Sequence, residues 1–95
     1  MSPPPLSNTD LGRAIRRHRR RARLTIDDLA HEAQMHPTYL SGIERGIRNP
    51  TFEKLIGISQ ALQVPLSEIV KDAMTEADIA ARMREIHAEL GVVHR

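Results

Sequence analysis

The sequence predicts an all-α protein, and three observations carry that expectation. Residues 25–46, TIDDLAHEAQMHPTYLSGIERG, divide at a turn into two short helical patterns. Beyond them, Phe52, Leu55, Ile56, Ile58 and Leu62 recur at helical spacing and read as core. Composition agrees: with 40% hydrophobic residues but one Phe, one Tyr and no Trp, the core must be built from Leu, Ile, Ala and Met. Ninety-five residues suit one small domain with an extension rather than two domains.

The elements follow in chain order. MSPPPLSN, residues 1–8, opens with a Pro3 to Pro5 run that cannot be helical and reads as a flexible arm without Arg or Lys. Helix 1 comes next, crowded by Arg13, Arg16, Arg17, Arg19, Arg20, Arg21 and Arg23. These encircle much of the helix and leave Leu11, Ile15, His18 and Ala22 as its inward stripe. His18 is expected to fill core volume as a partly buried, neutral imidazole. Helix 2 opens at Thr25, whose hydroxyl can cap the first turn, with Asp27 and Asp28 where the helix dipole favours negative charge. Leu29, Ala30 and Ala33 give it a small apolar face, on which a second helix can cross closely. Helix 3 begins at Pro37, where a missing N–H costs nothing. It buries Leu40 and Ile43 and stops at Gly46. This is the packing of a helix-turn-helix.

The outward side of helix 3 carries His36, Thr38, Tyr39, Ser41, Gly42 and Arg45, groups that can donate, accept or approach a groove. Polar residues would face outward on any helical hairpin, so the pattern alone does not decide between a DNA surface and a solvated one. Charge asymmetry adds to it. Residues 1–48 hold nine arginines against five acids, whereas residues 49–95 hold five Lys or Arg against seven. The basic end is where contact with a nucleic acid is expected.

From Leu11 to about Val70 the chain resembles the Cro and lambda-repressor-type (Xre) helix-turn-helix family. The stretches that carry the likeness are LGRAIRRHRRRARLTIDDLA, TYLSGIERGIRNPTFEKL and ISQALQVPLSEIV. The resemblance implies a lambda-repressor-like domain over residues 9–71 with five helices, at about 9–22, 25–33, 37–45, 51–62 and 66–71. It also implies sequence-specific binding of double-stranded DNA, usually as a dimer on an inverted repeat. Carried onto this sequence, helix 3 would enter the major groove, with Pro37, Thr38, Ser41 and Gly42 toward the bases. His36, Tyr39, Arg45, Arg48, Asn49 and Arg17 would meet phosphates. Arg19 would lock helix 1 to helix 3 through Glu44. The chain departs from the family at Ile26, where a glutamine often braces the recognition helix. Gln34 holds a turn position usually glycine, Gly42 stands where a base-reading side chain is common, and His18 replaces an inward leucine.

After residue 71, TEADIAARMREIHAEL reads as an additional C-terminal helix within a 72–95 extension, with a box-like start at Thr75 and Asp78 and Gly91 as its stop. Ile79, Met83, Ile86 and Leu90 line one stripe at spacings of four, three and four. Two readings stand: the stripe packs back on helix 5 of its own chain, or it pairs with a second copy and forms a dimer seam.

A homodimeric transcriptional regulator is therefore expected. The alternative is an antitoxin or co-regulator whose residues 72–95 bind a protein partner. No phosphate loop, zinc-protease motif or cysteine nucleophile is present, so no enzyme and no cofactor are expected. The histidines lack HxxxH or HxxH spacing, which argues against a metal. Without cysteine, signal peptide or spanning apolar run, a cytoplasmic protein without membrane contact is expected.

Overall fold

The computed structural model describes residues 6–91. Five helices follow in order: α1 (Asn8–Arg21), α2 (Ile26–Glu32), α3 (Pro37–Glu44), α4 (Phe52–Leu62) and α5 (Leu66–Glu89). The expected Pro3 to Pro5 arm lies outside the described residues. Ser7 and Asn8, assigned to that arm, instead start α1: Ser7 Oγ accepts the Asp10 N–H while the Asp10 carboxylate accepts the Ser7 N–H. Thr25 and Asp28 build the same reciprocal box on α2, and Thr51 Oγ1 accepts the Lys54 N–H at the start of α4.

Helix ends follow one design. After α1, α2, α3 and α4 the chain passes through a left-handed residue, respectively Arg23, Gln34, Gly46 and Gln63. At each, two N–H groups turn back to the last carbonyls; at α3, Gly46 N–H donates to the Ile43 carbonyl and Ile47 N–H to the Gly42 carbonyl. Gln34 thus adopts the glycine-like conformation in the turn before α3. Side chains are disfavoured there by about 1–2 kcal/mol, so three of these four ends carry strain that glycine would relieve. The residue following each is apolar. Leu24, Met35 and Val64 fold back on the core, but Ile47 stays 66% exposed.

Ile15, Leu29, Leu40, Ile43, Ile58 and Ile69 form the fully buried centre, drawn from all five helices. Burying each such side chain stabilises the fold by about 1.5–3 kcal/mol, which makes this cluster the main cohesive element. α1 is the hub: it packs on α3 and α5, while α2 packs on α3 and α4, and α4 on α5. Two expected core residues lie elsewhere. Ala22 is exposed because α1 has ended, and Ala14 occupies the buried line instead. Phe52 is 72% exposed, since it is the first residue of α4 and stands about a fifth of a turn off the line of Ile58, Ser59 and Leu62.

The expected break between helices at 72–75 is absent. α5 runs unbroken for 24 residues, and Thr75 donates its hydroxyl proton to the Lys71 carbonyl one turn back instead of capping a new helix. Its first half docks on α1 through Ile69, Ala73 and Ala77. Beside this apolar line, Arg17 pairs with Glu76, and Arg21 approaches Asp72. His18 is buried there as expected, but it does more than fill volume: its Nε2 lies 2.7 Å from Asp72 Oδ2. Farther along, Ile79, Met83, Ile86 and Leu90 are all exposed, so the stripe does not fold back on its own chain. Among the described residues, no helix is long and apolar enough to cross a membrane.

Candidate nucleic-acid interface

The geometry of α3 begins at its start. Pro37 sits in the first turn, and His36 Nδ1 accepts the Thr38 N–H at 3.1 Å, so the imidazole serves as the helix cap. Leu40 and Ile43 anchor the inner side. Thr38 and Arg45 are exposed on the outer side, with Ser41 half-exposed between them and Pro37 half-buried at the entrance. Tyr39 leans against the core and is half-buried.

The far end of α3 is held on α1 at three points. Gly12 lies so close that a Cβ there would meet the Ile43 carbonyl oxygen at 2.4 Å and the Glu44 carbonyl oxygen at 2.5 Å. Gly46, at φ +78°, rests on Thr9. Arg19 supplies the third contact: Nε donates to Glu44 Oε2 at 2.7 Å, Nη2 to Glu44 Oε1 at 3.0 Å, and Nη1 to the Leu24 carbonyl at 3.0 Å. Both side chains are nearly out of solvent, at 12% and 5% exposure, and a two-pronged contact of this kind fixes direction as well as distance. The hydrogen bonds to Glu44 raise the Arg19 pKa above its ordinary value, with burial opposing them, so the guanidinium stays charged. Neither Gly12 nor Thr9 stood out in the sequence. A glycine inside a helical pattern was the available signal for the first, since it marks a close backbone approach.

The loop after α3 presents Arg48 and Asn49, both exposed, before Thr51 caps α4. Gly42 needs correction. It is buried, and a Cβ there would meet Arg48 Cγ at 2.5 Å, so the arginine stem lies across it and no groove can reach its backbone directly. What Gly42 does is seat Arg48. Arg17 is also corrected: its guanidinium turns to Glu76 on α5 rather than joining the basic surface beside α3. The structure thus gathers Thr38, Ser41, Arg45, Arg48 and Asn49 along α3 and its following loop, with His36 and Pro37 at the helix entrance and Tyr39 half-covered.

Comparison with known proteins agrees with this fold. A helix-turn-helix family model matches residues 15–69, from the middle of α1 into α5. The HTH-type transcriptional regulator SlrR of Bacillus subtilis is 42% identical over 60 residues, covering 62% of this chain and 40% of that protein. The immunity repressor protein of Bacillus phage phi105 is 33% identical over 92 residues, covering 84% of this chain and 64% of the repressor. The chain therefore spans less than two thirds of the length of either relative. Among solved structures, the clp gene regulator ClgR from Corynebacterium glutamicum superposes with a TM-score of 0.86 at 28% identity, over 93% of this chain and 94% of that one. Such coverage includes the long α5 as well as the helical core. On the family match and the arrangement of α1 to α5, the chain belongs to the Xre-type helix-turn-helix family.

Proposed function

We propose that the protein is a sequence-specific, double-stranded-DNA-binding transcriptional regulator that acts by binding rather than catalysis, as a homodimer on an inverted repeat. The observation that carries this reading is the rigid presentation of α3: its inner end is pinned to α1 by Arg19 and Glu44, while its outer face offers Thr38 and Ser41. In the major groove, Pro37, Thr38 and Ser41 face base edges, where hydroxyl and apolar contacts discriminate sequence. His36, Tyr39, Arg45, Arg48 and Asn49 face the phosphates, which position the domain without reading sequence. Ile47, exposed in the same loop, lies within this surface.

The unpartnered stripe on α5 supports the homodimer and also a second reading, in which residues 72–95 hold a different protein, as an antitoxin or co-regulator would. A selection of bound duplexes from genome fragments separates the two, followed by titration of the selected site against random DNA at two salt concentrations. A shared inverted repeat preferred by about a thousandfold or more supports the regulator. Weak binding that depends on salt but not on sequence overturns it and favours the protein partner.

A further inference from the structure

We propose that α5 pairs with α5 of a second copy in antiparallel register, the two-fold axis passing between the two helices at the level of Arg84 and Glu85. The inference rests on the homodimer reading and adds its orientation, register and charge pairing. The apolar stripe is a palindrome in spacing: Ile79, Met83, Ile86 and Leu90 stand four, three and four residues apart, the same read from either end. About this axis every member meets an apolar partner, Ile79 against Leu90 of the second copy and Met83 against Ile86. All four are about half exposed or more in the single chain, Leu90 at 72%, so all four gain from being covered.

Charge selects the direction. Arg82 and Glu89 flank the stripe on the same side, seven residues apart. Antiparallel pairing sets Arg82 against Glu89 of the second copy at both ends of the seam. Parallel pairing would set Arg82 beside His87 of the second copy, with no acid across from it. Arg82 meets Asp78 on its own helix at 3.2 Å but remains 74% exposed, so its outer N–H groups are open to a second carboxylate.

Placement of the domains follows from the same helix. At about 100° per residue, the stripe lies roughly a quarter turn from the face of α5 that docks on α1. In a two-fold antiparallel pair, elements a quarter turn from the seam emerge on the same side in both copies. The two helix-turn-helix units therefore hang from one side of the α5 pair, as joint engagement of one duplex face requires. Ala73, the centre of the docked face, is about 17 Å along the helix from the axis, so the two docking points are about 35 Å apart. Successive major grooves on one face of duplex DNA repeat at about 34–36 Å.

Because the chain has no cysteine, cross-linking can be made specific. Ile79→Cys and Leu90→Cys are prepared as separate proteins at exposed positions, then oxidised alone and after mixing and exchange, alongside sedimentation of the unmodified protein. The expected result is a sedimenting dimer, a disulfide-linked species joining one chain of each variant in the mixture, and none in either variant alone. Self-linked Ile79→Cys or Leu90→Cys chains would show parallel helices and overturn the register, as would absence of any cross-link in a protein that still sediments as a dimer. A monomer at the cross-linking concentration would overturn the homodimer reading itself.

Discussion

The two halves of the molecule use α1 and α5 in opposite ways. Where α3 meets α1, every approach is closed: Gly12 leaves no room for a side chain, Gly46 rests on Thr9, and Arg19 meets both oxygens of Glu44. Along the distal half of α5 almost nothing is closed, for after Ala77 the apolar side chains face solvent. The contrast teaches that burial and directionality have been concentrated where α3 is held at a fixed angle, while the distal half of α5 keeps its apolar stripe exposed.

Breaking the braced half should show the largest effects. Arg19→Ala strands the Glu44 carboxylate in a nearly dry site and should lower unfolding free energy by about 3–5 kcal/mol in denaturant titration, because the surviving charge keeps its desolvation cost without a partner. A loss near zero would mean that Glu44 reaches water. Gly12→Ala comes next: its methyl group would overlap two backbone carbonyls, which cannot swing aside as a flexible side chain can. A loss of about 1–3 kcal/mol is expected, and a neutral result would show that α1 slides freely on α3. A change of opposite sign is expected for Gln34→Gly, which relieves the left-handed strain ahead of α3 against some added chain entropy, for a net gain of up to about 1 kcal/mol in thermal melting.

The open half sharpens the comparison from the other side. At concentrations low enough for single chains, Ile86→Gln should shift stability by less than about 0.5 kcal/mol, since Ile86 is 46% exposed; a larger loss would reveal contacts within the monomer. The smallest effect belongs to Asp28. The Thr25 backbone and side-chain hydrogen bonds lower its pKa below the ordinary carboxylate value. Its contribution is therefore complete above the unfolded-state pKa and is lost as pH falls through the lowered folded-state value. Asp28→Asn should flatten that part of the acid melting curve, measured by circular dichroism.

Local rules made much of the braced half legible. Thr25 and Thr51 as caps, Pro37 in the first turn and Gly46 after α3 each follow from one residue's own backbone or hydroxyl chemistry. Gln34 was legible as an odd residue in a glycine position, and its left-handed backbone is the answer. Contacts across the fold were harder. Arg19 and Glu44 came into view through the family resemblance, whereas Arg17 with Glu76 and His18 with Asp72 join residues 59 and 54 positions apart and leave no local trace. Thr75 misled because a threonine followed three residues later by an acid suits both a helix start and an exposed helix interior. Only the docking of Ala73 and Ala77 on α1, which carries the helix straight through, decides between them.

The Arg19 contact has a consequence best put as angular tolerance. α3 is eight residues long, so its outer end projects about 12 Å from the braced end at Glu44. A tilt of about 10° at the brace would move Thr38, six residues or about 9 Å away, by about 1.6 Å, more than the whole spread of lengths over which a hydrogen bond forms. If Thr38 and Ser41 read bases as proposed, the brace touches no base yet sets how finely the outer end of the helix can tell one base from another. On the proposed reading, loosening it should erode discrimination between sites, while the phosphate contacts proposed for the long arms of Arg45 and Arg48 adjust and persist.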